Sequence, residues 1–316
     1  MTDPADARKR SRIYAYSIEA GNRPRKDSVQ IVTLSDNHLS PQGTLVDDVF
    51  DALKNYRGPM ILNFSGTRVS DPGLKQLQQL DVVVLDLELC GHITNTGLQH
   101  LQQMKPLRAL ILAATGISQV GLEHLVSKSN LIVLDLELCD GIKDDACKTI
   151  GAMTQLRMLV LKKSGFERPG ITDVGLQRLQ GLSNLEVLNL YANSLTDDGL
   201  KHLQPFKKLR DLNLSLLDLT DAGFVHIKPL TTLEHLELLF TQGFAGPELT
   251  DQVVECLEPL LNLKSLNLTG SQLTDAGLKR LQVLKNLKLL QLARTKVTDE
   301  GLQSFRAKLP DCEILR

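Results

Sequence analysis

Leucine recurs along most of this 316-residue chain in one fixed figure. Segments 185–209 (LEVLNLYANSLTDDGLKHLQPFKKL) and 263–287 (LKSLNLTGSQLTDAGLKRLQVLKNL) both read L-x-x-L-x-L-x-x-x-x-L-T-D-x-G-L-x-x-L-x-x-Φ-x-x-L, where Φ is apolar. The first Leu of each L-x-L marks Leu62, Leu85, Leu110, Leu134, Leu159, Leu188, Leu212, Leu236, Leu266 and Leu290, with Val32 opening the series and Cys312 closing it. The markers fall 22 to 25 residues apart, except for three intervals of 29 or 30. Self-similarity at such a period is the mark of a stacked-repeat architecture.

One repeat can be read from its own letters. The x-L-x-L-x stretch alternates with period 2, which predicts a short strand with its leucines on one face. Thr-Asp, or Ser70-Asp71, then offers an N-cap hydroxyl and a carboxylate in the first helical turn. G-L-x-x-L-x-x-L follows as a short helix with leucines at helical spacing. Each unit buries one side only, so it gains stability by stacking on its neighbours. Parallel strands stack about 4.8 Å apart and helices about 8–10 Å apart. That mismatch predicts an α/β horseshoe solenoid with a concave parallel sheet and short helices on the convex side.

These motifs resemble the leucine-rich repeat proteins over roughly residues 29–316. The segments LDLELCGHIT (85–94) and LDLELCDGIK (134–143) carry a Cys three residues after the second Leu, as in the cysteine-containing subtype of F-box substrate adaptors. LQLARTKVTDEGL (290–302) is similar to bacterial repeat arrays. The resemblance implies a right-handed leucine-rich repeat solenoid and protein recognition through the concave sheet. The position held by Cys90 and Cys139 is filled elsewhere by Asn37, Thr67, Thr115, Ser164, Asn193, Thr241, Ser271 and Thr295, side chains able to bond backbone freed at the strand exit. Leu217 cannot do so, and a different local turn is expected there.

The ends depart from the repeat. Residues 1–11 read as a flexible basic tail. Residues 12–28, with Tyr14, Tyr16 and Ile18 alternating before a Gly21-Asn22-Arg23-Pro24 turn, read as an N-terminal β-hairpin cap over the first edge. Residues 29–316 form a single domain of about 11 repeats plus a terminal strand.

Composition narrows the function. Aromatic residues are 4% of the chain and Trp is absent, so the core is aliphatic; the formal net charge of -1 excludes a globally basic nucleic-acid binder. No run of eighteen apolar residues offers a membrane span, and Met1 to Arg12 lacks the apolar core of a secretory signal. Five cysteines without a CxxC pair fit a cytoplasmic address. Phosphate-loop, nucleophile-elbow, HExxH and Rossmann patterns are missing from the sequence. No cofactor or metal is expected; His100, His124, His202 and His226 share one helix position on the outer surface, which suits solvation better than zinc.

The candidate site is the inner face. Alternating with the buried leucines are Thr33, Asn63, Asp86, Ile111, Asp135, Val160, Asn189, Asn213, Glu237, Asn267, Gln291 and Glu313 in one column, and Ser35, Ser65, Glu88, Ala113, Glu137, Lys162, Tyr191, Ser215, Leu239, Thr269 and Ala293 in the next. Asp86, Glu88, Asp135 and Glu137 surround Ile111 and Ala113, an acidic patch with an apolar centre that suits a basic segment of a partner. Val160, Tyr191 and Glu237 extend the surface. Two long strand-to-helix loops, 162–173 and 239–251, add Phe166, Phe240 and Phe244, aromatics of the kind that dominate interface hot spots. The reading is a monomeric, non-catalytic protein-interaction module with a protein partner, without membrane or nucleic-acid binding. The alternatives are an adaptor or effector of a ubiquitin-ligase-like system, and a hydrolase using Asp86 and Asp135, whose open setting supplies no pocket to raise a pKa.

Overall fold

A computed structural model describes residues 29–163, 170–239 and 249–316. The expected tail and capping hairpin, and the loop residues Phe166, Phe240 and Phe244, lie outside the described residues. Among the described residues are twelve short strands: β1 (Gln30–Thr33), β2 (Met60–Asn63), β3 (Val82–Asp86), β4 (Ala109–Ile111), β5 (Val133–Asp135), β6 (Met158–Val160), β7 (Val187–Asn189), β8 (Asp211–Asn213), β9 (His235–Glu237), β10 (Ser265–Asn267), β11 (Leu289–Gln291) and β12 (Glu313–Leu315). The chain forms two compact units that divide between Leu159 and Val160.

In the first unit, β1 to β5 pair in chain order and in parallel, with Val32, Leu62, Leu85, Leu110 and Leu134 in register. In the second, β7 to β12 do the same, aligning Leu188, Leu212, Leu236, Leu266, Leu290 and Ile314. The marker leucines from Leu62 to Leu290 are buried, as are Leu74 and Leu77 of the helix Asp71–Leu77 and Leu200 and Leu203 of the helix Asp197–Leu203. The short helices follow the strands, as the L-x-L and G-L-x-x-L figures predict. The last marker is corrected: Ile314, not Cys312, pairs with Leu290, and Leu315 rather than Glu313 continues the column of Gln291.

The strand exit is a recurring tight turn. Leu89, Ala114, Leu138, Ala192, Leu216 and Arg294 have φ between 54° and 59°, and Gly66 and Gly270 hold the equivalent place at 72° and 83°. The amide of this residue reaches the next repeat, as in Leu89 N–H to the Ala113 carbonyl at 2.9 Å and Ala192 N–H to the Ser215 carbonyl at 3.0 Å. Leu216 has φ 56° and donates to the Leu239 carbonyl at 3.0 Å, so the turn beside Leu217 is the ordinary one. The expectation of a different turn there fails because the inter-repeat backbone bond holds the geometry without a side chain at position 217.

Thr-Asp does more than cap a helix. In six repeats the Asp carboxylate grips the Thr of the following repeat by two bonds. Asp173 Oδ1 accepts from the Thr196 amide at 3.0 Å and Oδ2 from its hydroxyl at 2.6 Å. The same pair of bonds joins Asp197 to Thr220, Asp221 to Thr250, Asp251 to Thr274 and Asp275 to Thr298, and Asp71 to Thr94 in the first unit. A Cβ at Gly199 would sit inside the van der Waals envelope of Asp173 Oδ1, and Gly97, Gly223, Gly277 and Gly301 stand likewise toward their own Asp. The T-D-x-G signature is therefore an inter-repeat lock: Asp reaches forward, Thr receives, and Gly leaves room.

Candidate functional site

The face opposite the buried leucines carries the side chains that alternate with them. The register places Thr33, Asn63, Asp86, Ile111 and Asp135 in one row of the first unit. Asn189, Asn213, Glu237, Asn267 and Gln291 make the corresponding row of the second. Asp86 and Asp135 stand two strands apart with Ile111 between, about 9.6 Å at the usual strand spacing, and Glu88 and Glu137 lie two residues further along each chain.

Their exposure departs from expectation. Asp86 and Asp135 are 0% exposed, and Ile111, Ala113 and Val160 are buried as well, whereas Glu88, Glu137, Tyr191 and Glu237 are half-buried. Asp86, Asp135, Ile111 and Val160 thus face the expected way but are withdrawn from solvent. Part of the reason is local. Asp86 Oδ1 accepts from the Glu88 amide at 3.1 Å and Asp135 Oδ1 from the Glu137 amide at 2.9 Å. Asn63, Asn189, Asn213 and Asn267 make the same two-residue bond at 2.8 to 3.0 Å. Asp and Asn recur in this row because a short side-chain acceptor closes the turn that ends each strand. Neither Asp86 nor Asp135 is without a partner, and the same is true of Glu88 and Glu137.

Sequence reasoning passed over a third row. Ile61, Val84, Ala109 and Val133, each directly before a marker leucine, are 0% exposed on this same face. The signal was available: in the first unit every residue preceding the marker is apolar, whereas β8, β9 and β10 have Asp211, His235 and Ser265 there.

In the second unit the surface is more open. Tyr191 is half-buried, and the Lys162 Nζ lies 5.3 Å from its ring centroid, a cation–π approach. Glu237 accepts a bond from Asn267 Nδ2 at 2.8 Å; burial, with Asp211 adding to it, raises its carboxyl pKa above the ordinary value, and the Asn267 bond partly offsets this.

The cysteines serve the fold. Cys90 Sγ donates to the Phe64 carbonyl at 3.2 Å and Cys139 Sγ to the Leu112 carbonyl at 3.0 Å. Asn193 does the same work with an amide, bonding the Leu161 and Leu190 carbonyls at 2.9 and 3.0 Å. Burial pushes the Cys90 thiol up to about 11, against nucleophilic use. None of the five cysteines is in a disulfide, and all five are buried. Among the described residues no three His, Cys, Asp or Glu side chains converge as a metal site, and no helix is long and apolar enough to cross a membrane.

The family model described as Leucine Rich repeat matches residues 260–281 and 283–305, two successive repeats of the beat that runs through all twelve strands. The chain has the leucine-rich repeat fold. Among solved structures, the chain resembles an internalin (inlF) from Listeria monocytogenes str. 4b F2365 at 20% identity and TM-score 0.54, over 96% of this chain and 92% of that one. It also resembles an internalin C2 (inlC2) from the same strain at 19% identity and TM-score 0.52, over 77% of this chain and 90% of that one. These likenesses show the shared fold. No curated protein matches the sequence.

Proposed function

We propose that this leucine-rich repeat protein is a non-catalytic interaction module that holds a protein partner on the strand-lined face and the strand-to-helix loops. One observation carries the reading. Tyr191 is the only Phe, Tyr or Trp on that face among the described residues, and it stands half-open beside the Lys162 ammonium. With Glu237 on the neighbouring row, an aromatic plane, a cation and a carboxylate share one pleated surface, the composition of an interface hot spot. In the first unit the acidic patch of Asp86, Glu88, Asp135 and Glu137, centred on Ile111, suits a basic segment; in the second unit Val160, Phe166, Phe240 and Phe244 are proposed to bind with Tyr191. Five buried cysteines without a disulfide favour a cytoplasmic protein.

The test compares wild type with Tyr191→Ala and Glu237→Lys in quantitative affinity capture from native lysate, followed by titration of the captured protein. Truncation of a hot-spot aromatic costs about 2 kcal/mol, roughly thirtyfold in Kd. A partner bound equally by wild type and both variants removes the site from this face.

A further inference from the structure

Three adjacent strands of the second unit carry a compact polar island. Asp211, His235 and Ser265 are in register on β8, β9 and β10, with the apolar Val187 before them and Leu289 after them in the same row. Two residues further along the same strands stand Asn213, Glu237 and Asn267. Each of the six lies one residue from a buried marker leucine, so all six share the face opposite the leucines. Asp211, Asn213, His235 and Glu237 are half-buried, whereas Ser265 and Asn267 are 8% and 7% exposed. The alternation of the strand puts Arg210 and Lys264 on the other side of the pleat. There both bond Glu234, at 3.0 Å from Arg210 Nε and 2.8 Å from Lys264 Nζ. Glu234 thus claims the arginine and the lysine of these strands, and Glu237 receives only the neutral Asn267 amide.

Asp211 and His235 are engaged, so the acceptors open to a ligand are two others. Asn267 bonds Glu237 at Oε2 alone, which leaves Oε1 available. The Ser265 hydroxyl is more than nine-tenths buried on this face and has no hydrogen-bond partner. A buried polar group in that state gains by acquiring one. We propose that this island receives the guanidinium of an arginine side chain on the protein partner, with Glu237 Oε1 and Ser265 Oγ as its acceptors. The inference rests on the partner reading above and names the chemistry the partner brings. Charge complementarity favours a cation, since Asp211 and Glu237 place two carboxylates on neighbouring strands. A metal ion does not fit, because among the described residues no three His, Cys, Asp or Glu side chains converge. The backbones of Glu237 and Ser265 are one strand step across and two residues along, a diagonal of about 8 Å. A planar fork of five donors can bond acceptors on both strands at once, whereas an ammonium is a compact point charge.

The probes are acetyl-arginine methylamide, its lysine counterpart and the uncharged acetyl-citrulline methylamide. Each is titrated into isotope-labelled full-length protein while the Asn side-chain amide signals are followed by NMR. The arginine probe is expected to move the Asn267 and Asn213 signals saturably, the lysine probe to bind more weakly, and the citrulline probe to leave them in place. Glu237→Gln keeps the shape and removes the charge, and should weaken the arginine probe about tenfold. Ser265→Ala should weaken it about threefold. No saturable shift with arginine, equal shifts with citrulline, or lysine binding as tightly as arginine would each overturn the proposal. So would an affinity unchanged by both substitutions, and the comparison of probes on wild type decides should a variant misfold. The probe is titrated without any partner, whereas the partner reading is tested by capture of a whole protein through Tyr191. Loss of capture without probe binding would therefore sink the arginine assignment alone, and probe binding with capture unchanged would sink the reading on which it rests and the proposal with it.

Discussion

Gly199→Ala puts two forces in opposition at one methyl group. Gly199 lies inside the helical turn Asp197–Leu203, where Ala is ordinarily favoured over Gly by about 1 kcal/mol. Here the three atoms nearest the new Cβ all belong to Asp173, and its Oδ1 is the atom that must yield. That oxygen accepts the Thr196 amide at 3.0 Å, and its twin accepts the Thr196 hydroxyl at 2.6 Å. Hydrogen bonds to a charged group contribute about 1.5–3 kcal/mol each, toward the low end at an exposed site. Displacing the carboxylate therefore costs about 2–3 kcal/mol against the 1 gained, a net loss of about 1–2 kcal/mol. In an Asp173→Ala background the obstacle is gone and the same substitution should stabilise by about 0.5–1 kcal/mol. Urea unfolding followed by circular dichroism, run on the four members of the cycle with m-values compared, reads the change of sign. Stabilisation by Gly199→Ala in both backgrounds would refute the lock.

Three further outcomes follow from the same geometry. Leu89→Gly, at an exposed position with φ 58° that Gly66 and Gly270 occupy in other repeats, should stabilise by about 0.5 kcal/mol through relief of left-handed strain; a drop in urea midpoint would mean that the Leu89 side chain is packed. Lys128 is buried and donates from Nζ to the Leu101 and Met104 carbonyls at 3.0 and 2.8 Å. Lys128→Met should cost about 1–3 kcal/mol by leaving those carbonyls unmet, seen as a lower thermal midpoint, and an unchanged midpoint would argue against it. Glu237 has its pKa raised above the ordinary 4.5, chiefly by burial, so the folded chain holds this proton more tightly than the unfolded one. Its stabilising contribution is full below pH 4.5 and disappears as pH climbs through the folded value. Glu237→Gln should therefore match wild type near about pH 4 and exceed it near about pH 7 in urea midpoint, and equality at the higher pH would reject the burial cause.

The strands and helices were legible because each repeat restates two periods, 2 and 3.6, with the same leucines. Eleven copies average out local ambiguity. Where the copy is last, averaging fails: Cys312-x-Ile314 mimics L-x-L, and only pairing with Leu290 shows that Ile314 is the marker. Single-repeat reasoning also undervalued the short polar residues. Thr-Asp looks complete as a cap within one helix, so its forward reach to the next Thr, and the reason Gly follows two residues later, emerge only when two turns are stacked. Asn63 and Asp86 looked like free surface for the same reason; their turn bonds to Ser65 and Glu88 are local, yet alternation alone reports direction and not engagement.

That distinction decides what the inner face can mean. A period of two fixes which way Asp86 and Asp135 point, and they point where the pattern says. It carries no information on how far each is withdrawn from solvent, because alternation reports direction alone. The rows differ in composition: the residues before the markers are apolar throughout the first unit, whereas Asp211, His235 and Ser265 hold that place at β8 to β10. An isolated hydrophobic substitution on a solvated sheet is tolerated by soluble proteins, but Ile61, Val84, Ala109 and Val133 are consecutive across four strands. Such a stripe left open would be an adhesive surface. Burial of these residues withdraws that stripe from solvent, so the half-open Tyr191 and Glu237 of the second unit are the side chains at which partner binding is to be tested.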